Sequence, residues 1–311
     1  MKSVVIVGDD RFATQLSDLL VCSLPGQPRI QRVAPDDPDL PTRLAGADWV
    51  IEMAGHALEQ KRAVLRHCAH GATGLVTSDA SVITRHELLA GLPPDFGNRY
   101  AVAHFFFPLT HCPLVELVAA SEPDLRLKPL LSDQLRHTLE HHMGRTVVEV
   151  SDNPGFIANR LGLFLIASGL ALLTQGGPDP AAIDRAGARS LGLPRTGLFG
   201  AADLIGHATL KLLLLALCAR LAPADPLRLV APGAVARLDD LRARGRERFI
   251  DRADMRQDHR AAPGGPDVAA LTGRLQADRD SYMRLVCRET GIPPAGAADI
   301  MRKSYGWDVP W

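Results

Sequence analysis

The strongest constraint on the fold is the alternation of short β-branched runs with helical segments across the first half of the chain. Residues 3–7, Ser-Val-Val-Ile-Val, form an apolar run that stops at Gly8. Such a run predicts a strand buried on both faces, as the first strand of a parallel sheet would be. Residues 12–21 follow with helical spacing, and Phe12, Leu16, Leu19 and Leu20 share one face. Further strands are predicted at 29–33, 47–54, 73–77, 99–105, 114–119 and 146–150, with helices at 57–68 and 81–89. Residues 35–41 are rich in Pro and Asp and read as loop. Strands alternating with helices predict βαβ units and an α/β domain built on a doubly wound parallel sheet.

The pattern changes after Asp152-Asn153-Pro154-Gly155. Residues 156–174 read as one long apolar helix, and Asp179 before Pro180 supplies a good start for the next. Residues 210–221 are apolar on every side apart from Lys211 and Arg220, which predicts burial in a bundle or between subunits. Residues 242–266 are charged and Gly-rich and read as a mobile linker, and 268–290 as a last amphipathic helix. The expected organisation is an α/β domain over 1–152 and an all-helical domain over 153–311.

With 46% apolar and 23% charged residues, the chain can bury full cores. Lys plus Arg total 35 and so do Asp plus Glu, which argues against nucleic acid or an anionic membrane as a partner. The longest nearly uncharged apolar stretch, residues 161–174, is shorter than the roughly 20 residues of a membrane span. No cleavable signal pattern opens the sequence. The five cysteines are scattered without a C-x-x-C. A reducing cytoplasm is therefore expected, with no disulfide framework and no metal site. Neither His104, His111 and Cys112 nor His137, His141 and His142 have a zinc-ligand spacing.

Three segments carry candidate chemistry. The first is the turn Gly8-Asp9-Asp10-Arg11-Phe12-Ala13, placed where a dinucleotide-binding fold has G-x-G-x-x-G/A. Gly8 and Ala13 fit that fingerprint and Asp10 does not, so an ordinary βα turn fits equally well. The second is His104-Phe105-Phe106-Phe107-Pro108 followed by Leu114-Val115-Glu116, with Glu116 12 residues after His104. A carboxylate beside an imidazole orients it and favours its protonated form, as suits a general base. By themselves the two could equally be a core histidine and a solvated edge residue. The third is the run from Asp152 to Arg160, which puts Asn159 in the first turn of a helix, as an active amide or as part of a plain interdomain turn.

Taken together, these segments resemble the 3-hydroxyacyl-CoA dehydrogenase family. The H-F-F-N-P…L-V-E block of that family is met from His104 to Glu116 at every diagnostic position but one. Its D-x-P-G-F-x-x-N-R block is met by Asp152 to Arg160, and its T-S-N-T-S block corresponds to Thr77-Ser78-Asp79-Ala80-Ser81. Its G-x-P-x-G-x-F-x-x-x-D-x-x-G block is similar to the run from Gly192 to Gly206. The resemblance covers about residues 1 to 220. It implies a Rossmann-like domain followed by a helical domain, a nicotinamide cofactor, and reversible oxidation of a 3-hydroxyacyl thioester. His104 would be the base, Glu116 its orienting carboxylate, Ser81 a hydrogen-bond donor to the substrate oxygen, and Asn159 the residue positioning the thioester or oxyanion. Gly8, Asp10, Ala13, Arg32 and Lys61 fall on the cofactor side. The helical domain would close the cleft and supply a homodimer interface, which suits Leu210 to Leu217.

The departures from the family are specific. Phe107 replaces the Asn of H-F-F-N-P, and Asp10 the second fingerprint glycine. Residues 29–33 hold no acid for an adenosine ribose and carry Arg32 instead, which would suit a 2′-phosphate. His56 stands where a second Glu is usual, and only about 14 residues separate the second and third strands, so the family's helical hairpin is missing there. The losses lie on the cofactor and thioester side. They predict NAD or NADP bound weakly or not at all, with a CoA or carrier-protein thioester as substrate. The leading expectation is a specialised dehydrogenase. The alternatives are a member that has lost nicotinamide binding, working by His104/Glu116 acid–base chemistry or as a non-catalytic partner, and a different hydroxy-acid or imine oxidoreductase on the same plan.

Overall fold

The computed structural model describes residues 1–120, 126–173, 178–246, 248–250 and 266–308. It contains two compact units, residues 1–156 and 157–311.

The first unit is built on a seven-stranded sheet. Its strands are β1 (Ser3–Val7), β2 (Arg29–Val33), β3 (Trp49–Glu52), β4 (Leu75–Ser78), β5 (Tyr100–Phe105), β6 (Leu114–Val118) and β7 (Thr146–Glu149), in the order β2-β1-β3-β4-β5-β6-β7. β1 to β5 are mutually parallel. The expectation of a parallel sheet is corrected at one place, because β6 runs antiparallel to β5. The connection between them, residues 106–113, is too short for the dozen or more residues that a parallel crossover needs. The central strands are buried throughout and mostly apolar, Val4 to Val7 and Ala101 to Ala103 among them.

Helices α1 (Arg11–Ser23), α2 (Leu40–Leu44), α3 (Leu58–Gly71), α4 (Arg85–Leu89) and α5 (Pro129–His137) flank the strands in sequence. α1 turns Ala13, Leu16 and Leu20 into the core, while Phe12 and Leu19 of the predicted face pack against it only partly buried. Two expectations change. Residues 40–44, partly assigned to loop, make a short helix with a proline in its first turn, where the missing N–H costs nothing. The helix expected over 81–89 begins only at Arg85, because Thr84 and Glu87 form a capping box that sets its amino end. Ser81 therefore lies on the loop between β4 and α4. Asp152 accepts from the Arg85 and His86 amides at 2.6 and 2.8 Å, which ties the end of this unit to α4.

The described part of the second unit is helical: α6 (Ala158–Leu172), α7 (Pro180–Ser190), α8 (Gly197–Ile205), α9 (His207–Cys218), α10 (Pro226–Ala243), α11 (Pro266–Thr290) and α12 (Pro294–Ser304). α6 is buried from Ala158 through Leu170. The sequence block around Gly192 has a structural basis. Gly197 has φ +63, and a Cβ there would lie 2.0 Å from Asp184 Cγ. Asp184 accepts from the Leu198, Phe199 and Gly200 amides and so caps α8. Asp203 accepts from the Phe249 and Ile250 amides. Within the stretch expected to be a linker, α10 extends to Ala243, and Phe249 and Ile250 are buried. Residues 247 and 251–265 lie outside the described residues. Of the apolar α9 face, Leu210, Leu213, Leu214 and Leu217 are buried inside the unit, while Leu212 and Leu215 are exposed. Among the described residues no single helix is long and apolar enough to cross a membrane.

Candidate active site

Strands β5 and β6 create the central pair. Their antiparallel register sets His104 directly opposite Glu116, with Val102 opposite Val118 and Phe105 opposite Val115. Directly opposed residues project from the same face of the sheet. The 12-residue separation is thus the hairpin register itself. His104 Nδ1 lies 2.9 Å from Glu116 Oε2, and the two side chains are 3% and 0% exposed. The Phe106 and Phe156 rings stand 4.3 and 5.8 Å from the imidazole, centroid to centroid. An imidazole that gives its Nδ1–H to a buried carboxylate keeps its lone pair on Nε2, the state a general base needs.

A second polar group lies at the carboxyl ends of β3 and β4. Lys61 is 1% exposed and its ammonium donates to both Glu52 oxygens at 3.2 and 3.3 Å and to the Asp79 carbonyl at 2.7 Å. These are as many bonds as an ammonium has hydrogens. The expected contact between Lys61 and a dinucleotide is therefore corrected to an indirect role, in which Lys61 pins α3 to the two strands. Asp79 Oδ1 accepts from the Phe105 amide at 2.9 Å, which ties the end of β4 to the end of β5. Desolvation raises the Asp79 carboxyl above the usual range, against the pull of the nearby His104 and Lys61 charges. His56 is lowered, first by desolvation and then by Lys61. Glu52 and Asp79 were missed by sequence reasoning. The nine-residue spacing of Glu52 and Lys61, and the acid in place of Asn in the T-S-N-T-S block, were the available signals.

The β1–α1 turn has the outline of a dinucleotide site. The first glycine sits in a tight place, since a Cβ on Gly8 would crowd Met53 Cβ at 3.0 Å and Ala13 Cβ at 3.2 Å. The turn lies at the carboxyl ends of adjacent β1 and β3, whose neighbouring strands β2 and β4 lie on opposite sides, the switch point where such folds bind ligands. Asp10 is the departure. Its carboxylate accepts from the Ala13 amide at 2.8 Å and caps α1. A helix amino end is where this fold receives phosphate, and here one of its amides already holds the chain's own anion. Arg32, exposed on β2, donates to Thr14 Oγ1 at 2.5 Å and so reaches the first turns of α1. Phe107 packs edge-on against Phe12, centroids 5.7 Å apart, with the Arg11 guanidinium 5.3 Å from its ring. The residues thus fit a dinucleotide in outline and oppose its phosphates at Asp10.

Ser81 follows β4 in the first unit. Asn159 lies in the first turn of α6 in the second, 6% exposed, with its Oδ1 accepting from the Tyr305 hydroxyl at 2.9 Å. Arg160, beside it, binds Asp225 at 2.9 Å and Glu289 at 2.7 Å and is almost fully buried. Among the described residues no three His, Cys, Asp or Glu side chains are grouped as a metal ion would need.

This architecture, a mostly parallel sheet with a glycine turn and a His–Glu strand pair followed by a helical unit, defines a dehydrogenase-type two-domain chain. Residues 27–153 match the 3-hydroxyacyl-CoA dehydrogenase NAD binding domain, and 155–245 match the 3-hydroxyacyl-CoA dehydrogenase C-terminal domain. The chain belongs to the 3-hydroxyacyl-CoA dehydrogenase family. It is 30% identical over 166 residues to a Deinococcus radiodurans protein named "Probable 3-hydroxyacyl-CoA dehydrogenase", covering 53% of this chain and 47% of that one. It is 34% identical over 151 residues to a Rickettsia prowazekii protein named for a fatty acid oxidation complex trifunctional enzyme, covering 49% of this chain and 20% of that one. The chain thus spans between a fifth and about half of the length of these curated relatives. The fold is that of (S)-3-hydroxybutyryl-CoA dehydrogenase from Ralstonia eutropha. The TM-score is 0.62 at 20% identity, over 79% of this chain and 94% of that one. M. tuberculosis FadB2 superposes with a TM-score of 0.60 at 20% identity, over 75% of this chain and 94% of that one.

Proposed function

We propose that the chain interconverts 3-hydroxyacyl and 3-oxoacyl thioesters as an oxidoreductase with a weakly held NAD or NADP. The observation that carries this is the buried His104–Glu116 cross-strand pair. His104 Nε2 accepts the hydroxyl proton of the substrate, and Glu116, fixed at Nδ1, compensates the charge that develops on the ring. A bound nicotinamide supplies the hydride acceptor. Ser81 holds the substrate oxygen and Asn159 the thioester or developing oxyanion. Gly8, Ala13 and Arg32 line the cofactor side, and Asp10 lowers its affinity.

The acyl carrier is read as coenzyme A, in keeping with the names of the relatives. Exposed Leu204, Leu212 and Leu215, on α8 and α9, support a homodimer through the helical unit. The described cysteines, all free thiols, suit a reducing cytoplasm. The test is oxidation of 3-hydroxybutyryl-CoA by wild type and His104→Ala with NAD and with NADP, followed by nicotinamide absorbance. Turnover by wild type that falls in the variant supports the reading. Wild type inert with both dinucleotides, at millimolar concentration, overturns it.

A further inference from the structure

The polar group at the carboxyl ends of β3, β4 and β5 holds more carboxylates than its own cations answer. Lys61 is matched by Glu52, whose oxygens lie 3.2 and 3.3 Å from the ammonium. His104 is matched by Glu116 at 2.9 Å. Asp79 is the third carboxyl, and among the described residues no cation lies within ion-pair distance of it. His56, the remaining titratable neighbour, is lowered below the usual imidazole range by desolvation and then by Lys61, so it is neutral at pH 8. Asp10, whose charge also acts on His56, is engaged as the cap of α1.

Asp79 is held from three directions. Its amide donates to the Glu52 carbonyl at 2.8 Å, its carbonyl accepts from Lys61 at 2.7 Å, and its Oδ1 accepts from the Phe105 amide at 2.9 Å. Oδ2 accepts from none of the described residues, and the residue is half-buried. Asp79 is thus fixed against the residue that follows His104, with one oxygen open to a ligand. The T-S-N-T-S block has a neutral amide at this place and the chain has an acid. Desolvation works against the charge on Asp79, while the charges of His104, Lys61 and His56 favour it. A cation brought in by a ligand would favour it in the same way.

We propose that Asp79 is a specificity-determining residue for the redox state of the cofactor, its carboxylate serving as counter-charge to the nicotinamide ring and selecting the oxidised, cationic dinucleotide over the reduced, neutral one. The inference rests on the proposed function for the presence of that ring. Hydride transfer needs its reacting atoms about 3–3.5 Å apart. The ring therefore lies against the carbon whose hydroxyl His104 deprotonates, in the neighbourhood of Asp79. In the oxidation, the hydroxyl proton goes to His104 Nε2 and the C–H electron pair leaves with the hydride. The hydroxyl carbon becomes a carbonyl, and the ring loses its positive charge. Asp79 stabilises only the side of this reaction on which the ring is cationic. It weights the bound equilibrium toward the 3-hydroxyacyl thioester and oxidised cofactor, which suits the chain to reducing 3-oxoacyl thioesters.

The experiment is calorimetry at pH 8 with NAD+, NADH, NADP+ and NADPH on the full chain as wild type, Asp79→Asn and Asp79→Ser. Each is also measured with Asp10→Asn, which removes the charge that opposes the phosphates. The readout is the ratio of the Kd of the reduced form to that of the oxidised form, in which costs common to both forms cancel. Asn and Ser both keep an acceptor for the Phe105 amide and remove the charge. A unit charge about 7 Å from the ring, at a dielectric between that of water and an effective 20, changes that ratio about 3- to 50-fold. Both Asp79 variants should lower the ratio by that factor, chiefly by weakening the oxidised form. A ratio unchanged in both variants, or equal losses for the two forms, overturns the inference and leaves the proposed function in place. Binding with the expected change of ratio but no turnover by wild type refutes the proposed function and leaves the charge selection standing. No binding of either form, with or without Asp10→Asn, refutes the use of a dinucleotide, and the inference falls with it.

Discussion

Asp10 gives the sharpest test, because two substitutions separate its two effects. Its carboxylate accepts the Ala13 amide at 2.8 Å and caps α1. Asp10→Asn keeps an acceptor of the same reach and removes the charge, while Asp10→Gly removes both. As helix caps, Asp and Asn are nearly equivalent, and Gly costs only a few tenths of a kcal/mol, so both variants should fold. For dinucleotide phosphates approaching the same helix end, a carboxylate at about 6 Å costs ~0.7 kcal/mol at water-like dielectric and ~3 kcal/mol at an effective value of 20. A range of about 1–3 kcal/mol is about 5- to 150-fold in Kd. Calorimetry with NAD(H) and NADP(H) should show near-millimolar binding by wild type and tighter binding by Asp10→Asn. The gain should shrink with salt, since the phosphates are partly solvated. Asp10→Gly should bind more tightly still, because it also releases the Ala13 amide. Micromolar binding by wild type that neither variant changes would refute the argument, since Asp10 would then be clear of the phosphates.

The other predictions concern the rest of the site and the cores. His104→Ala should lower kcat on an accepted thioester by about 10²–10⁴-fold, the usual share of a general base, and Glu116→Gln should act in the same direction. Equal rates for wild type and His104→Ala would remove the residue from the reaction. Lys61→Met strands the Glu52 carboxylate, 0% exposed, and should cost about 3–5 kcal/mol in urea denaturation. A Lys61→Met/Glu52→Gln pair should recover much of that loss, and a double variant no better than the single one would contradict the pairing. Burial pushes the Cys68 thiol up to about 12, so at pH 8 it should resist alkylation until the protein unfolds, whereas exposed Cys22 is labelled promptly. Light scattering should report a dimer that Leu212→Asp/Leu215→Asp dissociates, and a wild-type monomer at high micromolar concentration would reject the interface.

The sheet was legible because burial on both faces leaves a plain mark in sequence. Runs such as Val4 to Val7 admit few alternatives, and the helices between them follow from spacing and caps. Strand direction was less legible, because parallel and antiparallel buried strands use the same residues. Only the length of the connection between β5 and β6 distinguishes them, and it was that short link which set His104 against Glu116. The start of α4 was misplaced for a related reason. The capping box at Thr84 and Glu87 is a local signal that outweighs the apolar periodicity reaching back to Ser81.

At the site, the sequence revealed the residues whose types are chemically unusual in their settings and concealed those whose meaning depends on a partner. His104 and Glu116 stand out as polar residues inside apolar strands. Lys61 looked like a cofactor ligand because its identity was visible and its three hydrogen-bond acceptors were not. Asp10 shows the converse. Its bulk and charge were visible in the turn, in place of the second fingerprint glycine. The fold adds that the carboxylate is itself bound, so an incoming diphosphate would have to displace a helix cap as well as approach an anion. The two costs have different signatures. Repulsion falls with added salt, whereas competition for the Ala13 amide does not. A gain from Asp10→Gly over Asp10→Asn that persists at high salt would therefore isolate the cap, the part of the argument that only the structure could supply.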